Sequence, residues 1–93
     1  MKELDFFKEI WRERSHYSEV SGEYLGVFSP VYFSHLLTKG SHPELRLDKE
    51  NILLMTFEEH RLWENYQHKI KDIPMWDKVF KQRDKLKYKY GKE

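Results

Sequence analysis

Four residues, Thr56-Phe57-Glu58-Glu59, do most to limit what this chain can become, because they mark a helix start directly after an apolar run. The Thr56 hydroxyl and the Glu59 carboxylate occupy the two positions of a capping box, where each satisfies an amide that a first helical turn leaves free. Just before them, Asn51 to Met55 reads NILLM, which has the length and apolar character of a buried strand. The helix is expected from Phe57 to about Ile70, with Trp63, Tyr66 and Ile70 facing inward.

The rest of the chain arranges itself around that junction. Val31 to Leu37, rich in β-branched and aromatic residues, reads as a first strand, and Thr38 to Glu50, with Gly40, Pro43 and several charges, as a surface loop. Upstream, Leu4, Phe7, Ile10 and Trp11 at helical spacing, with Phe6 beside them, predict an amphipathic helix over 3–14. Ser15 to Leu25 carries the turn signal Ser21-Gly22 and reads as a hairpin or irregular turn. After Ile73-Pro74, a helix from Met75 to about Tyr88 has Trp76, Val79, Phe80 and Leu86 on an apolar stripe. The expected class is α+β: a two-stranded antiparallel ribbon and a helix over about 31–70, flanked by N- and C-terminal helices in one domain, 1–93.

Composition narrows the chemistry. A chain of 93 residues has a small core, so help from a bound metal or a partner is expected. It has no cysteine, which removes disulfides and thiolate zinc sites together, so no structural zinc knuckle is available. The charged start MKELDFFKEIWRER has no apolar run suited to a signal peptide or membrane span, and the expectation is a soluble cytoplasmic protein with no membrane partner. The net charge of +1 conceals an asymmetry: residues 1–64 carry eight basic and twelve acidic side chains, residues 65–93 nine and four. The basic end is either a phosphate-tracking surface or a solvated terminus.

The candidate chemistry lies between Ser34 and Glu64. His60 and Glu64, four apart on one helix face, can reach one cation, and His68 would continue the stripe. An imidazole and a carboxylate without sulfur suit Mg²⁺ or Mn²⁺, with Ni²⁺ or Zn²⁺ as substitutes. The same pairing is common on solvated helix faces. His35, at the end of the first strand, would lie opposite the helix start, where one imidazole can activate water while the other binds metal. Asn51, at the loop exit, can tie the loop back on itself and hold His35 in place. Taken singly, His35 also reads as a satisfied core histidine and Asn51 as a turn residue. Their combination with His60 is what points to a site.

With FSHLLTKG and NILLMTFEEHRLWEN in this order, the chain resembles the ββα-metal, or HNH, endonucleases, including the nuclease domains of the colicin DNases and small HNH-like proteins of bacteria and phages. The resemblance covers roughly residues 4–66. It implies His35 as general base, Asn51 as the loop-positioning residue, His60 as a metal ligand and Glu64 as the second. Ser34 departs from the pattern, standing where many members place an Asp or His ligand.

The reaction implied is hydrolysis of DNA phosphodiester bonds with weak sequence preference. Lys39, Arg46 and Arg61 are the cations nearest in sequence for the scissile phosphate, though each also reads as an ordinary surface charge. Lys78, Lys81, Arg83, Lys85, Lys87 and Lys89 are candidates for backbone phosphates. Tyr88 and Tyr90 could stack on bases or pack on their own helix. His42, in the loop, could approach the phosphate, although a loop histidine is more often solvated, and His16 and His68 read as structural or surface, His68 being the one of the two closer to the candidate stripe. A single site would nick one strand; cutting both would need a homodimer or two encounters. The alternatives are a catalytically degenerate HNH-fold protein that binds DNA or another partner, and a small protein-binding helical domain without a site.

Overall fold

The computed structural model describes residues 2–90. They form an α+β fold in which helix α1 (Glu3–Glu13) precedes strands β1 (Phe33–His35) and β2 (Ile52–Leu54), followed by helices α2 (Phe57–Asn65), α3 (Gln67–Ile70) and α4 (Asp77–Tyr90). The strands pair antiparallel, with Phe33 opposite Leu54, Ser34 opposite Leu53 and His35 opposite Ile52.

This short ribbon is buried on both faces, which explains why NILLM lacks polar alternation. Side chains of paired residues share a face, so Phe33, Ile52 and Leu54 join Phe6, Phe7 and Ile10 of α1 in one apolar cluster. Leu53 and Met55 turn the other way, into a second cluster with Trp63, Ile70, Trp76, Val79 and Leu86. Aromatic contact reinforces both: Phe7 stacks on Phe33 with centroids 4.5 Å apart, and Trp63 lies parallel to Trp76 at 6.2 Å.

The capping box forms as its sequence dictates: Thr56 Oγ1 accepts from the Glu59 amide at 3.1 Å, and Glu59 Oε1 from the Thr56 amide at 2.8 Å. Glu59 is itself buried, because the Ser18 hydroxyl donates to the same carboxylate at 2.6 Å and ties the 15–25 turn to α2. In that turn Tyr17 and Tyr24 form one isolated antiparallel bridge, and Gly22 takes φ +82°, a left-handed conformation that glycine adopts without strain. The outer edge of β2 is closed by Arg14 and Glu19, the Glu19 main-chain amide donating to the Leu54 carbonyl at 2.8 Å. Arg14 donates to the carbonyls of Ile52 at 2.7 Å and Lys49 at 2.8 Å, while Glu19 accepts from the Leu54 amide at 2.8 Å. A pair of charged residues thus does the work of a third strand.

Four expectations are corrected. The helix expected from Phe57 to Ile70 breaks at Tyr66, at φ −136° and ψ 39°. There the Gln67 side-chain amide, rather than its main-chain amide, donates to the Trp63 carbonyl at 3.0 Å. The break lets Ile70 enter the core and carries His68 off the His60–Glu64 stripe, leaving its ring exposed beside Tyr66. The first strand is shorter than Val31 to Leu37, because Pro30 fixes a tight 3-10 turn through Tyr32 with Ser29 as its cap. Leu4 stays 46% exposed, its place on the apolar stripe of α1 taken by Phe6. At the C-terminal end Pro74–Trp76 forms a 3-10 turn, and α4 runs two residues past the expected Tyr88.

Candidate active site

Asn51 is fully buried at the loop exit. Its Oδ1 accepts from the Leu37 amide at 2.8 Å, and its Nδ2 donates to the carbonyls of Leu37 at 3.0 Å and Leu45 at 3.4 Å. A two-point bond to one residue fixes the chain just beyond β1 against the chain just before β2, so the intervening loop closes on a rigid neck. The sequence expected Asn51 to brace the loop, and these bonds are of that kind.

His35 ends β1 on the α1 face of the ribbon. Its Nε2 lies 3.3 Å from the Arg46 carbonyl and 3.7 Å from the Glu3 carboxylate. A carbonyl only accepts, so in the neutral ring the proton sits on Nε2 and Nδ1 keeps its lone pair. Burial lowers the His35 pKa below its ordinary value; the Arg46 carbonyl and Glu3 oppose the shift, and the charges of Lys39 and His60 add to it. The imidazole is therefore neutral at physiological pH, the state a base requires.

His60 sits on the first turns of α2. Its Nδ1 donates to the Val31 carbonyl at 2.7 Å, which leaves the Nε2 lone pair facing Glu64 Oε1 at 3.5 Å. Two electron-rich atoms face each other there, and either a proton or a metal ion can join them. A histidine whose other nitrogen is held by a carbonyl is the usual arrangement of a metal ligand. Among the described residues no three His, Cys, Asp or Glu side chains converge as a metal cage. The chain offers one imidazole nitrogen and one carboxylate oxygen here, so an ion held by them would complete its shell with water or substrate.

His35, Lys39, Trp63, Glu64 and Gln67 line one surface cleft, and His60, Arg61 and Glu64 line the next with Val31 and Phe57. Glu64 is common to both and brings the predicted base and the predicted ligands to one part of the surface. Ser34 contributes nothing polar to either cleft: it is 0% exposed on the α2 face of the ribbon, and its hydroxyl has no hydrogen-bond partner.

The cations divide by how much of their charge is already engaged. Lys39 Nζ bonds both Glu3 oxygens at 3.3 Å, and Arg61 is paired with Glu58 and lies over the Tyr66 ring. The Arg46 side chain is exposed while its carbonyl serves His35. On α4, Lys78, Lys81, Lys85 and Lys89 share one exposed face, with Lys89 near Glu50 at 3.4 Å. Arg83 points elsewhere, lying over the rings of Trp63 and Phe80 and donating to Gln67 at 3.0 Å, and Lys87 is half-buried off the stripe. Tyr90 packs back on the fold, donating to Asp48 at 2.9 Å, whereas Tyr88 is 84% exposed.

Sequence reasoning missed Glu3, because nothing in its spacing ties it to His35. It also took Trp63 as core alone, although the indole donates to the His35 carbonyl at 3.1 Å. His42, expected on the surface, is buried against Ser41, and His16 stacks on Trp11 at 3.8 Å. No helix among the described residues is long and apolar enough to cross a membrane. Compared with protein-family models, curated proteins and solved structures, the chain matches none.

Proposed function

We propose that this chain is a metal-dependent endonuclease of the HNH type, hydrolysing DNA phosphodiester bonds with weak sequence preference, and that β1, β2 and α2 are its ββα-metal core. The observation that carries the reading is the two-point bond from Asn51 to Leu37, which pins the neck of the loop two residues past His35 while α2 presents His60 and Glu64 nearby. In this reading His35 Nδ1 takes a proton from the attacking water. His60 Nε2 and Glu64 would hold the divalent ion, Mg²⁺ or Mn²⁺, which when bound supplies Lewis-acid stabilisation of charge on the scissile phosphate. The Arg46 and Val31 carbonyls hold the two imidazoles, and Trp63 ties the main chain of His35 to α2. The α4 lysines follow the backbone.

A second reading has its own support in Ser34, whose buried hydroxyl supplies no third ligand. In that case the chain is a degenerate HNH-fold protein that binds DNA without cutting it. Plasmid nicking with Mg²⁺, Mn²⁺, Ni²⁺ or EDTA, run beside His35→Ala, separates the two. Metal-dependent nicking lost in the variant supports the enzyme; retardation on a gel without nicking in any metal supports the binder.

A further inference from the structure

Glu3 opens α1, far in sequence from the loop and the capped helix, yet its carboxylate reaches two groups of the His35 cleft. One oxygen lies 3.7 Å from His35 Nε2, and both lie 3.3 Å from Lys39 Nζ. One helical turn later, Phe7 places its ring 6.2 Å from the imidazole while stacking on Phe33. The start of α1 is thus the back wall of His35, with one charged and one aromatic contact on successive turns.

We propose that Glu3 is a positioning residue for His35: its carboxylate and the Arg46 carbonyl together hold the Nε2–H edge of the ring, keeping Nδ1 as the nitrogen that accepts a proton. The proposal rests on the reading of His35 as a general base. When an O–H bond of the attacking water breaks and an N–H bond forms at Nδ1, the ring becomes an imidazolium whose Nε2–H already faces a carbonyl and a carboxylate. Glu3 then stabilises the charge that the step creates, and the extra proton later leaves Nδ1 to solvent. Lys39 limits this effect by sharing the carboxylate and prevents it from swinging into water. The other charged or polar groups facing the ring are the Arg46 carbonyl from the loop and His60 from α2, and neither supplies negative charge of a full unit.

Two measurements on the full chain test this, wild type beside Glu3→Gln and Glu3→Asp. NMR of the imidazole nitrogens reports the tautomer and titration of His35 without any need for activity. Wild type is expected in the Nε2–H tautomer; Glu3→Gln is expected to mix the two tautomers and to titrate at lower pH. In nicking kinetics Glu3→Gln should reduce kcat about tenfold with KM unchanged, the acid limb following His35 to lower pH, and Glu3→Asp should recover part of the loss. An unchanged tautomer and titration in Glu3→Gln overturn the proposal, whatever the kinetics. If no variant or wild type nicks DNA, the nuclease reading fails, while the NMR result still decides what Glu3 does to His35.

Discussion

The Trp63 indole donates to the main-chain carbonyl of His35 at 3.1 Å, and this bond joins the end of β1 to the helix that carries His60 and Glu64. Trp63 is also 2% exposed and stacked beside Trp76, so packing and positioning are combined in one side chain. Trp63→Phe separates them, retaining most of the apolar contact and removing the N–H. It is expected to destabilise the fold by about 1–3 kcal/mol, the range for leaving a partner unpaired plus a small packing loss. Trp63→Ala should cost roughly 3–5 kcal/mol. Urea denaturation of wild type and the two variants separates the contributions, and a Trp63→Phe variant as stable as wild type would mean that the indole N–H contributes nothing.

Asn51 offers a sharper test, because all its polar atoms are engaged within the neck of the loop. Asn51→Ala strands a buried amide and a buried carbonyl of Leu37, and a destabilisation of about 2–4 kcal/mol is expected. Asn51→Asp keeps the acceptor for the Leu37 amide but opposes the Leu37 carbonyl with a second acceptor, so it should be no better tolerated than Ala. Amide exchange at Leu37 gives a local readout: protection that survives Asn51→Ala would show that the neck does not depend on this side chain.

The junction at Thr56 was legible because a capping box is a local device whose two partners lie three residues apart, and the structure repeats it bond for bond. The α+β class followed from it, since an apolar run before a capped helix has few other uses. What was not legible depends on contacts distant in the chain. Glu3 meets His35, and Arg14 closes the edge of β2, only because the ribbon is folded over α1. The break at Tyr66 escaped the helical pattern because a Gln67 side chain substituting for its own backbone amide leaves no mark on hydrophobic periodicity. In the candidate site, His35, Asn51, His60 and Glu64 stand out in the sequence, but Glu3, the Trp63 indole and the carbonyl partners of the two imidazoles do not.

The depressed His35 pKa gives a pH dependence with a definite sign. Burial is the largest cause, and the folded value lies below the ordinary 6.5. The unfolded chain then takes up the proton first as pH falls. Stability from this residue is fully present above about 6.5 and is lost as pH descends from there through the folded pKa. Urea midpoints for wild type and His35→Gln should therefore converge or cross between neutral and mildly acidic pH, with wild type the more acid-sensitive. Nicking by wild type should stay flat as pH falls through the ordinary histidine range and decline only at the lower, folded-state pKa, where the base becomes protonated. Equal acid sensitivity of the two proteins would remove His35 from the account.

His60 Nε2 and Glu64 Oε1 face each other at 3.5 Å, and in the proposed site the two would hold the divalent ion together. Calorimetric titration with Mn²⁺ should show one site in wild type and no measurable site in His60→Ala or Glu64→Gln, because each substitution removes one of the two donors that the chain offers. Ser34→Asp is a useful fourth protein: a carboxylate placed at a fully buried position without a partner should destabilise the chain unless metal is added. If Mn²⁺ restores the stability of Ser34→Asp, the α2 face of β1 opens onto the ion; if it does not, His60 and Glu64 are the whole protein contribution.

The lysines of α4 carry the last prediction, and it separates side chains that sit together in the sequence. Lys78, Lys81, Lys85 and Lys89 follow each other at spacings of three and four residues and stay exposed, whereas Arg83 is folded over Trp63 and Phe80. A phosphate backbone lying along the stripe would release counterions in proportion to the lysines it meets. Lys81→Gln/Lys85→Gln should then reduce the slope of log affinity against log salt by about 2 and weaken binding equally for unrelated DNA sequences. Arg83→Gln should leave that slope unchanged and lower the urea midpoint instead, because its guanidinium supports Gln67 and the Trp63 ring. Fluorescence anisotropy with two unrelated labelled duplexes across a KCl series reads both quantities; a slope that falls with Arg83→Gln but not with the double variant would move the DNA path from the α4 stripe to the Trp63 side of the molecule.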